Sequence, residues 1–181
     1  MSVRITYFVH GTTTDNEERR SSGWNDVPLS ALGEEQARTL GETIKDKEFD
    51  AVFSSDLIRA VRTAEIAFDI SVPHFADERL RECNYGEMNG GPSEVVEPMQ
   101  EEAINTAMPE GESYEDVRTR IEGFLAMLKT QYEGKHVAIV AHKAPQLALD
   151  VILKGMSWEE AFEKDWRKRK DWQPGWKYEL G

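Results

Sequence analysis

Short apolar runs along this chain alternate with longer stretches in which apolar residues return every three or four positions. Val3 to Val9 (VRITYFV) is rich in β-branched and aromatic residues and predicts a strand. Ala51 to Ser54 (AVFS) predicts a second strand and Val72 to Phe75 a weaker third. His136 to Ala141 (HVAIVA) has the unbroken apolar character of a strand buried on both faces. Helical periodicities lie between them. Ala37, Leu40 and Ile44 follow a capping Ser30, and Leu57, Ala60, Val61, Ala64 and Phe68 follow Asp56, expected to cap that helix. Val117, Ile121, Phe124, Leu125 and Leu128 follow a capping-box pattern at Ser113 and Asp116. A helix from Pro145 to Leu153 has proline in its first turn, and Ser157 with Glu160 caps one more. The tail GWKYEL predicts a final edge strand. Pro92 to Glu112 is acidic and poorly periodic, an excursion over the sheet with a short helix near Val95 to Ile104.

Alternating strands and helices predict an α/β fold, with a mostly parallel sheet covered by helices on both faces. The 181 residues fit a single domain, 1–181, with no repeat, linker or low-complexity segment. A formal net charge of -12 makes a nucleic-acid backbone a poor partner, yet leaves room for a small phosphorylated ligand, which needs only a local cluster of donors. One cysteine, Cys83, precludes an internal disulfide. The opening MSVRITYFVHG is too short an apolar run for a signal peptide, and no apolar stretch is long enough to span a bilayer. The expected setting is cytoplasmic, with no membrane partner.

Ligands of parallel sheets sit at the carboxyl ends of the strands. His10 follows the first strand, Arg59 lies in the first turn of the helix after the second, Glu82 follows the third, and His142 ends the long apolar run. Taken singly, each residue has a plain structural role open to it, as a bonded turn histidine, a helix ion pair or a solvated carboxylate. Together they suit phosphoryl transfer. A histidine attacks phosphorus, a guanidinium holds phosphate oxygens in a fork, a carboxylic acid protonates the leaving oxygen, and a second histidine donates to equatorial oxygens. A zinc or iron site of His10, His142 and Glu82 is the rival reading. Arg59 at the same edge would repel such a cation, so no metal is expected.

These residues sit in motifs that resemble a known family. Val9-His10-Gly11, Asn16, Arg20, Ser22-Gly23-Trp24 and then LSALGEEQA from Leu29 are similar to the opening of the histidine phosphatase superfamily, also called phosphoglycerate mutase-like. That opening runs Arg-His-Gly-Glu-Thr, an asparagine, an arginine and a Thr/Gln-Gly. Ser55 to Ala64 resembles its Ser-x-Leu-x-Arg-Ala-x-Gln-Thr-Ala, and Leu80 to Gly86 its Leu-x-Glu-x-x-x-Gly. Gly111-Glu112-Ser113 and Val140-Ala141-His142 match two later signatures, so the resemblance covers nearly the whole chain. It implies a three-layer α/β/α sandwich and a phosphohistidine on His10. Arg59 and His142 would bind the phosphoryl group, and Glu82 would donate a proton. Gly11, Asn16, Arg20, Ser22 and Gly23 would contact phosphate or substrate, with no cofactor.

Three positions depart from that pattern. Val9 stands where the family has arginine, Lys143 where it has a glycine, and Thr12 where it has an acid. Losing one preorganised cation costs roughly 3 kcal/mol of transition-state stabilisation, about a hundredfold in rate. Lys143, beside His142, is expected to restore part of that charge, the alternative being that it points to solvent. The hydroxyls of Thr12, Thr13 and Thr14 shape the turn or touch phosphate. Trp24 and Tyr85 are expected in the pocket lining. The aromatics Trp158, Trp166, Trp172, Trp176 and Tyr178 read as a packed cap or a ligand-stacking patch. Arg167 to Lys170 reads as a solvated helix end favoured by the helix dipole.

The leading function is phosphomonoester hydrolysis of a small phosphorylated metabolite by a monomer or homodimer. A catalytically weakened phosphate-ligand binder is the alternative that Val9 keeps open. A mutase fits less well, because only residues 83 to 110 stand where mutases of the family carry a larger insertion.

Overall fold

The computed structural model describes residues 1–181. Five strands, β1 (Val3–Val9), β2 (Ala51–Ser54), β3 (His74–Ala76), β4 (His136–Ala141) and β5 (Trp176–Leu180), form one sheet in the order β3-β2-β4-β1-β5. The first four run parallel, and β5 closes the edge antiparallel to β1 with Tyr178 opposite Ile5.

Both faces are covered. Ile5, Tyr7, Phe53, Val137 and Ile139 pack one way, in a cluster with Ile121, Phe124 and Leu128 of a helix spanning Tyr114–Gln131 and Leu147 and Leu149 of a helix spanning Lys143–Lys154. Phe8, Val52, Ala138 and Val140 pack the other way, with Leu40 and Ile44 of a helix spanning Ala31–Ile44 and Ala64 and Ala67 of one spanning Ile58–Ala67. In chain order these are α1 (Ala31–Ile44), α2 (Ile58–Ala67), α3 (Ser93–Glu102), α4 (Tyr114–Gln131), α5 (Lys143–Lys154), α6 (Trp158–Glu163) and α7 (Trp166–Arg169). Val137 to Ala141 are fully buried, which is why that strand reads as an unbroken apolar run. Each fully buried Ile, Leu or Phe contributes roughly 1.5–3 kcal/mol.

Several boundaries differ from the sequence reading. β3 begins at His74 rather than Val72; Pro73 has no N–H to give and enters the ladder only through its carbonyl, which accepts from Val52. All three residues of β3 are exposed, as befits an edge, so its apolar signal is faint. Asp56 does not cap α2. It forks with Arg81, and the first N–H of the helix, on Ile58, instead donates to Asp26 Oδ1 at 2.7 Å. α3 starts at Ser93, because the Ser93 N–H donates to the Arg19 carbonyl beside a two-residue pairing of Arg20–Ser21 with Gly91–Pro92. α5 starts two residues before Pro145. The loop after β1 is not structureless: Thr13 caps a single helical turn, Thr14–Glu17, in a capping box with Asn16. No helix is long and apolar enough to cross a membrane.

The register positions the chemistry. Val9 lies opposite Ala141 on neighbouring parallel strands, and the His10 N–H donates to the Ala141 carbonyl at 3.1 Å. The next residue on each strand is a histidine, so the two imidazoles leave the sheet side by side.

Candidate active site

The rings of His10 and His142 lie 5.0 Å apart between centroids, tilted by 59°. His10 Nδ1 is 2.6 Å from the Gly11 carbonyl oxygen. A carbonyl only accepts, so Nδ1 carries the proton, and in the neutral ring Nε2 keeps its lone pair. Burial, then the Arg59 charge, push His10 down to about 3, so the neutral ring holds at physiological pH. His142 is driven well below its ordinary value by burial, with Arg59 and His10 adding to the shift. Neither of its ring nitrogens has a protein partner, although the residue is only 1% exposed. Buried polar atoms are ordinarily hydrogen-bonded, so this ring is available to a bound group. The Tyr7 hydroxyl fixes the backbone behind it, donating to the His142 carbonyl at 2.6 Å.

Arg59, in the first turn of α2, is buried, and two backbone carbonyls aim it. Nη1 donates to Asn25 at 2.8 Å and Nη2 to Gly23 at 2.7 Å. Gly23 presents its carbonyl from a left-handed φ of 56°, and a Cβ there would stand 2.0 Å from Asn89 Oδ1. Only glycine fits both demands. Gly11 is likewise needed for close approach, since a Cβ would come 2.4 Å from the Gly33 carbonyl on α1.

Glu82 reaches across to the start of α5. Its Oε1 accepts from the N–H of Cys83 at 2.8 Å and of Ala144 at 3.0 Å, and Oε2 accepts from the N–H of Lys143 at 3.3 Å. The carboxyl thus serves two of the orphan donors at that helix end, and the third position is Pro145, which has none. A residue the sequence did not flag holds the segment from behind. Arg120 of α4 forks onto Glu112 and donates to the carbonyls of Arg79, Arg81 and Glu82 at 2.7 to 2.9 Å. Trp24, expected in the pocket, braces the same place: its indole N–H donates to the Glu82 carbonyl at 2.7 Å while Arg81 lies over its ring.

The ten catalytic and substrate-binding candidates of the sequence line one cavity of about 980 Å³, as does Tyr85, whereas Trp24, expected in the lining, does not. The candidates' engagements differ. Asn16 Oδ1 accepts from Thr13, and the Ser22 hydroxyl donates to Asp15. Arg20, at the rim, is committed to the Gly90 carbonyl and Glu18. Lys143 does not point to solvent: its Nζ donates to Gln100 at 2.9 Å and stands 3.6 Å from Asp165. The solvated reading of the basic run fails at its first member: Arg167 is partly buried and lines the cavity with Tyr85, Trp166 and Trp172, whereas Lys168, at the same wall, Arg169 and Lys170 are exposed. Nothing in the local pattern of WRKRK separates an inward arginine from a solvated one. Of the C-terminal aromatics, Trp158 and Tyr178 are core residues, and Trp166 stacks on Trp176 at 5.0 Å.

A mostly parallel sheet in this order, with paired histidines at adjacent strand ends, defines the phosphoglycerate mutase-like class of α/β fold. Within that class the chain belongs to the histidine phosphatase superfamily (branch 1), whose family model matches residues 7–168. It is 36% identical over 147 residues to "Uncharacterized phosphatase PhoE" of Bacillus subtilis (strain 168), a match covering 81% of this chain and 75% of that protein. It is 32% identical to "Fructose-2,6-bisphosphatase TIGAR B" of Danio rerio, covering 87% of this chain and 65% of that longer protein. The crystal structure of the alpha-ribazole phosphatase from Shigella flexneri superimposes with a TM-score of 0.77 at 28% identity, covering 88% of this chain and 84% of that one.

Proposed function

We propose that this protein hydrolyses phosphomonoesters through a phosphohistidine on His10. The observation that carries the reading is the Nδ1 bond to the Gly11 carbonyl, which leaves Nε2 unprotonated in the neutral ring, with the His142 ring 5.0 Å away between centroids. In the first step the Nε2 lone pair forms the N–P bond as the P–O ester bond breaks, and the leaving oxygen takes a proton from the Glu82 carboxyl. In the second, the Glu82 carboxylate removes a proton from water, the water oxygen bonds to phosphorus, and the N–P bond breaks to release phosphate. Arg59 and His142 hold the phosphoryl oxygens throughout. Gly11, Asn16, Arg20, Ser22, Gly23 and Lys143 shape the surround. The reading needs no metal or cofactor.

The relatives named as phosphatases support this reading. A cavity of about 980 Å³ suits a small phosphorylated metabolite. The net charge of -12 speaks against nucleic acid. The lone, buried Cys83 suits a reducing cytoplasm. Val9 favours one rival, a weakened enzyme that binds phosphate esters and turns them over slowly. Steady-state hydrolysis of p-nitrophenyl phosphate separates the two. Turnover in the wild type that drops on the order of a thousandfold or more in His10→Ala supports the enzyme; binding without turnover supports the rival.

A further inference from the structure

Asp165, just before α7, is a buried carboxylate flanked by two cations. Its Oδ1 accepts from Arg167 Nη1 at 2.9 Å and from the Arg167 N–H at 3.1 Å, while Oδ2 faces Lys143 Nζ at 3.6 Å. Arg167 Nη2 donates to Gln146 Oε1 at 3.2 Å. Gln146 is itself buried, one helical turn beyond His142 on α5, and its Oε1 also accepts the Trp166 indole N–H at 3.0 Å. The guanidinium lies over the Trp166 ring, 4.4 Å from its centroid.

A solvated arginine at a helix end has no need of a buried carboxylate, a buried amide and an aromatic plane to fix it. Holding a long side chain in one geometry costs rotamer entropy, so the anchoring marks a cation placed for use. The construction parallels that of Arg59: in each, two acceptors hold two of the five N–H donors, and the others remain for a ligand. Two cations sharing one carboxylate leave the cluster net positive, in a chain of net charge -12. Position 9, next to the nucleophile, is an uncharged valine.

We propose that Arg167 is a second guanidinium that grips the phosphoryl group, supplying the charge that Val9 lacks, with Asp165, Gln146 and Trp166 as its positioning residues. Lys143, drawn toward Gln100 of α3, is the weaker contact. This inference rests on reading the cavity as a phosphoryl-transfer site. Arg167 reaches that site electrostatically: its charge helps to depress both His10 and His142, and it is the foremost charge opposing the burial-driven rise of Tyr7, whose hydroxyl bonds the His142 carbonyl.

The test titrates inorganic phosphate into the full chain and measures kcat and KM on p-nitrophenyl phosphate, with thermal unfolding run in parallel. The variants are Arg167→Gln, Arg167→Lys, Lys143→Met and His10→Ala. Arg167→Gln is expected to weaken phosphate binding about tenfold or more and to lower kcat/KM roughly a hundredfold. Arg167→Lys should recover part of both losses, and Lys143→Met should lose less than Arg167→Gln. Phosphate affinity within about twofold of wild type in folded Arg167→Gln overturns the assignment, as does a larger loss in Lys143→Met. Should Arg167→Gln not fold, Arg167→Leu, whose stem still packs on Trp166, is judged by the same criterion. His10→Ala separates the two levels of inference. If it still turns over substrate, the phosphohistidine reading fails. If it binds phosphate without turnover while Arg167→Gln matches wild type, only the role of Arg167 fails.

Discussion

Two imidazoles whose centroids are 5.0 Å apart would repel each other if both were protonated, and a nucleophile must be unprotonated in any case. The site meets both demands by burial and by the nearby Arg59 charge, which hold His10 near 3 and His142 well below its ordinary value. The His10 ring should therefore stay neutral, with its proton on Nδ1, between about pH 5 and pH 8. Nitrogen-detected NMR of a selectively labelled sample should show flat His10 ring shifts over that range; a titration step near the ordinary histidine value would contradict it. His10, His142 and Arg59 were legible in the sequence because each directly follows a strand or opens the helix beyond it, and Glu82 because it lies in the turn region after the third strand. Arg120 and Arg167 were not. One sits on the polar stripe of an amphipathic helix and the other in a basic run, where local pattern makes every cation look solvated. Their partners lie up to 41 residues away for Arg120 and 21 for Arg167.

At the level of elements, rigid scaffold carries the histidines, while the Glu82 segment has little regular structure of its own. A single 3-10 turn, Glu78–Leu80, precedes it, and the bonds from Arg120 and Trp24 hold it against α4 and the loop after β1. Arg120→Ala leaves the carbonyls of Arg79 and Arg81 without their side-chain donor, takes one of two donors from the Glu82 carbonyl, which keeps Trp24, and removes the ion pair to Glu112. It is expected to destabilise the fold by about 1–3 kcal/mol and to lower kcat more than KM, because the proton donor loses its aim. Urea unfolding and steady-state kinetics check both. A loss confined to stability, with kcat unchanged, would remove Arg120 from the account of the site. The strong helices were readable from periodicity. The cap of α2 was not, because Asp26 supplies it from 32 residues upstream, while Asp56, at the expected place, is engaged with Arg81.

The molecule as a whole stores proton-linked stability in its depressed histidines. Unfolded imidazoles take up protons as pH falls through the ordinary value, whereas folded His10 does so only near 3 and folded His142 also well below the ordinary value. This stability is therefore fully present above about pH 6.5 and is lost on acidification from there toward pH 3, at no more than about 1.4 kcal/mol per pH unit for each histidine. Urea unfolding at neutral and mildly acidic pH should show the decline, and His10→Asn should lessen it; an equal decline in that variant would contradict the assignment. The layered sheet was legible at this scale because both faces of β4 are apolar. The cavity wall built by α3 and α7 was not, since it forms where residues 93–102 and 166–169 meet over the strand ends. The central claim is that His10 carries the phosphoryl group in transit. Quenching turnover in alkali, which preserves phosphohistidine, and mapping the product by mass spectrometry tests it most directly. One phosphoryl group on the peptide containing His10, absent from His10→Ala, is the expected result; a phosphoryl group on any other residue, or none during active turnover, would contradict it.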